Sequence, residues 1–414
     1  MDAERAELIG RRVRAARQQR GLSLRALAQL SGLSAAFLSM VENGQRLLDR
    51  SSHITALAEA LRLSPTELTG AALPSTQATV DTAHRMIPVL RHTLMGYTTS
   101  GPAHRHTAPP PAADVLARRV AEANRLYHAA EYSTLATALP GLLSDLHAAR
   151  ATAASAPVRE RLTRLLADAY HPATTLLLKN LGYTDLAFIA VTRATETAAE
   201  LDDPVRTALS HFFRSHVLLA AGTPGPAVTE ADRAMRLVQA APSHPASLAL
   251  LGELHLITAT GIAQDAHLPG TTRAAQVRAH LAEAEALAAR TGETRAWHLN
   301  FGPTNVAIHY VTLHTDLGLH TDAVARSTTV HPHDLPVPGR QAAFHADLGR
   351  SLAQLRHREG DAVTALLTAE RIAPQRVRTN PLVRDTVGYL LNKPLPAHTA
   401  RDLRGLAHRT GLAA

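Results

Sequence analysis

The sequence predicts an all-α fold, and three observations carry that expectation. Aromatic residues make up only 3% of the 414 residues, and alanine and leucine take the place that aromatic and β-branched residues hold in sheets. Apolar residues recur at three- and four-residue spacing along most of the chain, the period of a helix with one buried face. Glycine and proline interrupt that pattern at intervals that suit turns between helices. With 45% hydrophobic residues, the length suits two or three domains with ample core. The chain has no cysteine. That excludes disulfides, thiolate zinc sites and cysteine nucleophiles, and matches a reducing compartment. The start, Met1-Asp2-Ala3-Glu4-Arg5, is charged, so no secretory signal is expected. No run of apolar residues is long enough for a spanning helix. A cytoplasmic protein without a membrane partner is expected.

Basic residues number 43 against 35 acidic ones, a net charge of +8, and Lys179 and Lys393 are the two lysines among them. The excess permits a nucleic-acid partner without requiring one.

Residues 1–70 read as a compact helical domain. A first helix over about 4–19 places Leu8, Ile9, Val13 and Ala16 on one face, and Gly21 ends it. Ser23 caps a second helix in which Leu24, Leu27, Ala28 and Leu30 point inward; Gly32 permits a tight turn. Ser34 caps a third helix with Phe37, Leu38 and Val41 inward and Ala35, Ala36, Ser39, Met40 and Asn43 outward. A fourth helix covers about 51–61. A fifth has a full start signal in Ser64, Pro65 and Glu67. Ten arginines against seven acids give residues 1–70 a charge of about +3.

In order and spacing, residues 8–69 resemble the DNA-binding domain of the lambda-repressor/Cro family, the XRE-type regulators. The segments that carry the resemblance are Leu8–Arg14, Gly21–Ala28 and Ser31–Gly44, with Arg46 beyond them. The resemblance implies a five-helix, helix-turn-helix domain whose third helix enters the major groove of double-stranded DNA. It implies phosphate contacts from Arg17, Ser23, Arg25, Ser34, Asn43 and Arg46. Ala35, Ala36, Ser39 and Met40 would face base edges. Those side chains offer little bidentate readout, so Gln45, Arg46, Arg25 and Asn43, or DNA shape, would carry much of the reading.

Residues 71–113 read as a connector. Ala83, Met86, Ile87, Leu90 and Leu94 mark a helix that Pro88 should kink or delay. Residues 98–113, with four prolines, read as a semi-extended linker.

From 114 to 414 helix follows helix. Turn signals stand at Gly182, Gly222, Gly318 and Gly360, and Asp203-Pro204, Thr223-Pro224 and Asn380-Pro381 each set a capping oxygen before a proline. A register of small residues recurs in Ala187/Val191/Ala194, Ala227/Ala231/Ala234, Ala275/Ala279/Ala282 and Ala362/Leu366/Ala369. Ala323/Ser327/Val330 and Ala136/Pro140/Leu143 are weaker copies. Such a face lets helices approach closely, and pairs of this kind must stack to bury it. With Ala362, Leu366, Ala369 and Pro374 as the best match, this region resembles the tetratricopeptide (TPR) family. Its period is longer than that family's, and the first-helix signature is mostly missing. A TPR-like solenoid is the expectation.

His331-Pro332-His333-Asp334 and His104-Arg105-His106 are poor preformed metal sites. No zinc-helix, phosphate-loop or nucleophile-elbow motif is present, and no enzyme, metal or cofactor is expected. TPR regulators of Gram-positive bacteria include receptors for short signal peptides, and the domain order is similar to theirs. That resemblance implies a ligand site on the inner helices, with Lys179, Asn180, Arg214, Asn300, Asn305 and His309 as candidates and Trp297 and Tyr310 as apolar walls. The expected function is sequence-specific transcription regulation by a homodimer on a palindromic operator, modulated by a signalling peptide or small molecule. The alternative is an adaptor whose repeats hold a folded protein partner and whose DNA binding serves localisation.

Overall fold

The structure, a computed structural model, describes residues 2–46, 48, 51–61, 63, 68, 82–96, 109–241, 244–334 and 337–412. The fold is all-α: among the described residues the one β feature is an isolated antiparallel bridge between Thr294 and Phe301.

Among the described residues, the N-terminal domain is built from α1 (Asp2–Gln19), α2 (Leu24–Ser31), α3 (Ala35–Glu42) and α4 (Ser51–Leu61). Both predicted caps form. Ser23 Oγ accepts from Ala26 N at 3.0 Å, and Ser34 Oγ accepts from Phe37 N at 3.1 Å. Gly32 between them takes φ +68°, a conformation open to glycine at little cost. Val13, Leu27, Leu38, Val41 and Leu57 form the sealed centre of the domain. Gly10 marks where α1 meets the end of α3. A Cβ there would lie 2.4 Å from the carbonyl oxygen of Val41. Leu30, expected inside, is half exposed instead. The buried stripe of α2 runs from Leu27 to Ser31, whose hydroxyl donates back to the Leu27 carbonyl, and Leu30 falls outside it. The fifth-helix start at Ser64, Pro65 and Glu67 lies outside the described residues, as does most of the linker.

The helix α5 (Thr82–Gly96) runs unbroken through Pro88, which is exposed. It does more than connect. Ala83, Ile87, Leu90 and Leu94 are buried in one core with the helices that follow.

Those helices are α6 (Ala113–His128), α7 (Tyr132–Ala151), α8 (Ala156–Ala169), α9 (Thr175–Asn180), α10 (Thr184–Ala199), α11 (Pro204–Ala220), α12 (Pro224–Ala240) and α13 (Pro245–Gln264). After them come α14 (Gly270–Thr291), α15 (Pro303–Asp316), α16 (His320–Ser327), α17 (Pro338–Ala353), α18 (Glu359–Ile372), α19 (Pro374–Arg378), α20 (Pro381–Leu391) and α21 (Ala397–Arg409). From α9 to α18 the packing is mainly between sequence neighbours and next neighbours, the order of a helical solenoid. The longest apolar helix, α13, has the length and hydropathy of a membrane span. Its apolar side chains are nonetheless spent inside the protein: Leu250, Leu254 and Ile257 sit in one core cluster and Leu256, Ala259 and Ala263 in the next.

Several local expectations hold and others fail for identifiable reasons. Ala187, Val191, Ala194, Ala227, Ala231, Ala234, Ala362, Leu366 and Ala369 are all buried. The register in α14 is wrong: Ala275, Ala279 and Ala282 are exposed, whereas Val277, Leu281 and Ala284 are buried. An alanine-rich helix offers two small faces, and the one with Val and Leu gains more by leaving water. Asp203 caps α11 by accepting from Val205 N and Arg206 N, and Asn380 caps α20 by accepting from Leu382 N. Thr223 does not cap, because its hydroxyl donates to the Leu218 carbonyl. Gly360 lies within α18, and the preceding turn takes its positive φ at His357.

The solenoid closes on itself. Gln375 Nε2, from α19, donates to Ser133 Oγ of α7 at 2.6 Å. Thr379 Oγ1 donates to the Asn180 carbonyl at 3.1 Å. The Arg376 guanidinium bonds to the hydroxyls of Tyr127 and Tyr132. The C-terminal helices thus return to α6, α7 and α9, and the loop of helices surrounds an open-mouthed cavity.

Candidate nucleic-acid interface and interior cavity

In the N-terminal domain the third helix lies on the outside. Ala36, Met40, Asn43, Gln45 and Arg46 are exposed, and Ala35 and Ser39 are half buried. Arg25, on the second helix of the pair, is exposed beside them. The repeats meet this domain elsewhere. Leu382 of α20 packs against its core. On the other side, His267 Nε2 lies 3.1 Å from Glu59 Oε2 of α4, and the Ala266 carbonyl faces Gly32. The outward face of α3 therefore stays open.

Of the eleven predicted DNA-contact residues, Arg17 stands apart. Its Nε donates to Glu42 Oε1 at 2.6 Å, its Nη2 to Oε2 at 2.9 Å and its Nη1 to the Leu22 carbonyl at 2.9 Å. These bonds occupy the guanidinium within the domain and raise its pKa above the ordinary value. Asn43 is shared: its Oδ1 accepts from Arg14 Nη2 at 2.6 Å. Ser23 and Ser34 use their hydroxyls as caps, which leaves backbone amides at the two helix starts facing outward for phosphate.

The second feature is the cavity inside the closed solenoid, with about 690 Å³ of atom-free space, its mouth included. Four of the six predicted ligand residues line it: Lys179, Asn300, Asn305 and His309. Asn180 stands one layer behind, its Nδ2 donating to Tyr132 Oη at 3.0 Å. Arg214 lies elsewhere, its guanidinium 4.9 Å over the Phe188 ring. Trp297 and Tyr310 are not the walls. Trp297 Nε1 donates to the Ala246 carbonyl, and Tyr310 stacks on His314 at 4.1 Å. Phe212, Phe213, Leu176 and Leu299 form the apolar walls.

Sequence reasoning missed Glu253, Arg340 and Arg376. Glu253 Oε1 accepts from Asn305 Nδ2 at 2.8 Å. Asn305 Oδ1 in turn accepts from Arg340 Nε at 2.8 Å, and Arg340 Nη2 lies 2.7 Å from His309 Nδ1. Burial pushes the Glu253 carboxyl up to about 7, and burial with the two neighbouring arginines pushes the Lys179 ammonium down to about 7. His216 and His309 are held well below the usual histidine range by burial and the surrounding cations. One signal was available. Arg340 and Arg376 each stand two residues after the proline that opens a helix. A first helical turn is where a cation is least favoured.

The His331–Asp334 segment ends in a 3₁₀ turn with Pro332 buried and both histidines exposed, and no group of metal-ligating side chains occurs among the described residues.

Residues 8–70 match the family described as Helix-turn-helix domain. The HTH-type transcriptional repressor RghR of Bacillus subtilis (strain 168) is 44% identical over 57 residues, which are 14% of this chain and 42% of that protein. The chain thus spans less than half the length of this curated relative. No solved structure matches. With two capped helices joined at a left-handed glycine, an open third helix and this match, residues 8–70 are a helix-turn-helix domain.

Proposed function

We propose that this chain is a DNA-binding transcription regulator whose grip on its operator is set by a ligand in the interior cavity. The observation that carries the first half is the open face of α3, from Ala36 to Arg46, beside Arg25. An exposed recognition helix with small residues at its start can sit deep in the major groove, while arginines on the flanks take phosphate. The relative's printed name, a transcriptional repressor, supports the same reading. A homodimer fits best, because two such helices would span half-sites roughly one DNA turn, 34 Å, apart. The site of action is then the cytoplasm.

The ligand half rests on how the cavity is joined to the DNA-binding domain. Arg376 lines the cavity, and Leu382, six residues on, packs against the core of the N-terminal domain. Glu253 lines it too, and α13, which carries Glu253, leads into Ala266 and His267 at the second contact. A ligand that favours one arrangement of α13, α19 and α20 would bias the placement of α3, provided it binds two arrangements unequally.

The test is binding of the full chain to a random duplex library at low salt, followed by Ala36→Glu. Selection of a sequence motif, and its loss in the folded variant, is expected. Failure to bind any duplex would overturn the reading.

A further inference from the structure

The chain builds nearly all of its cations from arginine, yet one of its two lysines stands in the interior cavity. An arginine keeps its proton wherever it is placed, whereas a lysine can give it up when buried. Lys179, at the end of α9, faces the same space as Arg340 and Arg376. Among the described residues its ammonium makes no hydrogen bond and no ion pair. The two arginines are bonded to neutral groups: Arg376 to tyrosine hydroxyls, Arg340 to Asn305 and His309. Among the residues lining the cavity, Glu253 is the sole carboxylate, and Asn305 already engages it. Three cations thus line one open-mouthed cavity whose lining holds a single acid, with Asp347 acting on Arg340 from behind it. Cations gathered where they are only partly hydrated, with so little counter-charge, are less favourable to the folded protein than the same cations joined by an anion.

We infer that the cavity binds a small organic anion, its carboxylate or phosphate group held by Lys179, Arg340 and Arg376 and its apolar part lying against Phe212 and Phe213. This deepens the proposed ligand control by naming the ligand's chemistry, and it rests on that reading only for its biological consequence. The cavity is concave and lined by both apolar and charged side chains, a shape that takes a small molecule and not a folded domain. Arginine forks and a lysine point charge together match an oxyanion.

A proton accompanies the anion. Lys179 faces Arg340 of α17, Arg376 of α19, His216 of α11, His309 of α15 and Glu253 of α13, with His128 and His298 at the rim. A bound negative charge favours the protonated form of each titrating member of that set. Above neutral pH, binding takes up a proton and affinity falls as pH rises.

Isothermal titration of the full-length protein with inorganic phosphate and with benzoate, at constant ionic strength, tests this. Saturable binding of at least one is expected. At pH 8 the heat should depend on the buffer's ionisation enthalpy with the sign of proton uptake. Lys179→Met should weaken binding at least tenfold while melting no lower than the parent, since it removes an uncompensated buried charge. The absence of saturable binding for both anions, or an unchanged affinity in Lys179→Met, overturns the proposal. Duplex binding by the same protein without anion is measured alongside. Its loss with anion binding intact would sink the regulator reading and leave the cavity assignment standing.

Discussion

Arg17 closes a two-pronged ion pair on Glu42, a carboxylate only 4% exposed, and so ties the first helix to the end of the recognition helix. Removing the arginine strips a nearly dry carboxylate of its main partner, although Arg14 remains 3.3 Å away. Arg17→Ala should therefore destabilise the N-terminal domain by about 3 kcal/mol. Urea unfolding followed on α1–α4 would check this. Duplex affinity should fall only as far as the folded fraction falls.

Arg25 and Arg46 behave in the opposite way. Both are exposed and neither is needed by the fold. Arg25→Ala and Arg46→Ala should leave stability within about 0.5 kcal/mol of the parent. Each should flatten the dependence of log affinity on log salt by about one unit if its guanidinium neutralises a phosphate. Anisotropy titrations over a salt series separate these variants from Arg17→Ala.

Acid should unfold the repeats before the carboxylates of the surface titrate fully. Burial lowers His128 to about 4 and His147 and His171 to about 3, below the roughly 6.5 of an unfolded histidine. The unfolded chain binds more protons across that window, so each group's contribution is complete above about 6.5 and is lost as pH falls towards 3–4. Glu253, raised to about 7, acts in the reverse sense between about 4.5 and 7, but it is one group against three. Melting temperature measured from pH 7 to pH 4 should drop, and His147→Gln should reduce the slope.

Lys179 predicts the alkaline limb. Its folded value of about 7 lies below the roughly 10.4 of an unfolded lysine. Between those values the unfolded chain holds the extra proton, so stability rises as pH increases from 7 towards 10. Lys179→Met should be flat over that range. Thermal melts of the two proteins at pH 7, 8 and 9 decide it.

Leu382 connects the repeats to the DNA-binding domain through an apolar contact. Leu382→Asp should leave both units folded and loosen their docking, seen as faster amide exchange in α1 and α20 with α3 unchanged. Duplex affinity in this variant should no longer respond to an anion that binds the cavity.

The helix-turn-helix was legible because every cue in it is local. Ser23 and Ser34 precede their helices, Gly32 supplies the positive φ, and Leu27, Leu38 and Val41 recur at helical spacing. Four lining residues of the cavity were legible for a weaker reason: the resemblance to repeat-type receptors implied polar side chains on the inner helices, against the usual rule that polar residues face water. What stayed hidden depended on distant partners. Ser133 meets Gln375 and Asn180 meets Thr379 only because the chain returns, and no periodicity encodes that return. Arg340, Arg376 and Glu253 gain their meaning from it. In α14 the alanine register drew attention to the wrong face, because the larger side chains Val277 and Leu281 stand on the other one and take the burial.

The return of α19 to α7 and α9 also has a consequence for biosynthesis. As the chain leaves the ribosome, residues up to 373 can stack in sequence, yet they possess no finished chamber. The segment that supplies Arg376 and the clasp at Thr379 emerges after them, together with the Leu382 contact to the N-terminal unit. A product cut short before residue 374 would carry an intact recognition helix but neither the finished chamber nor the Leu382 contact.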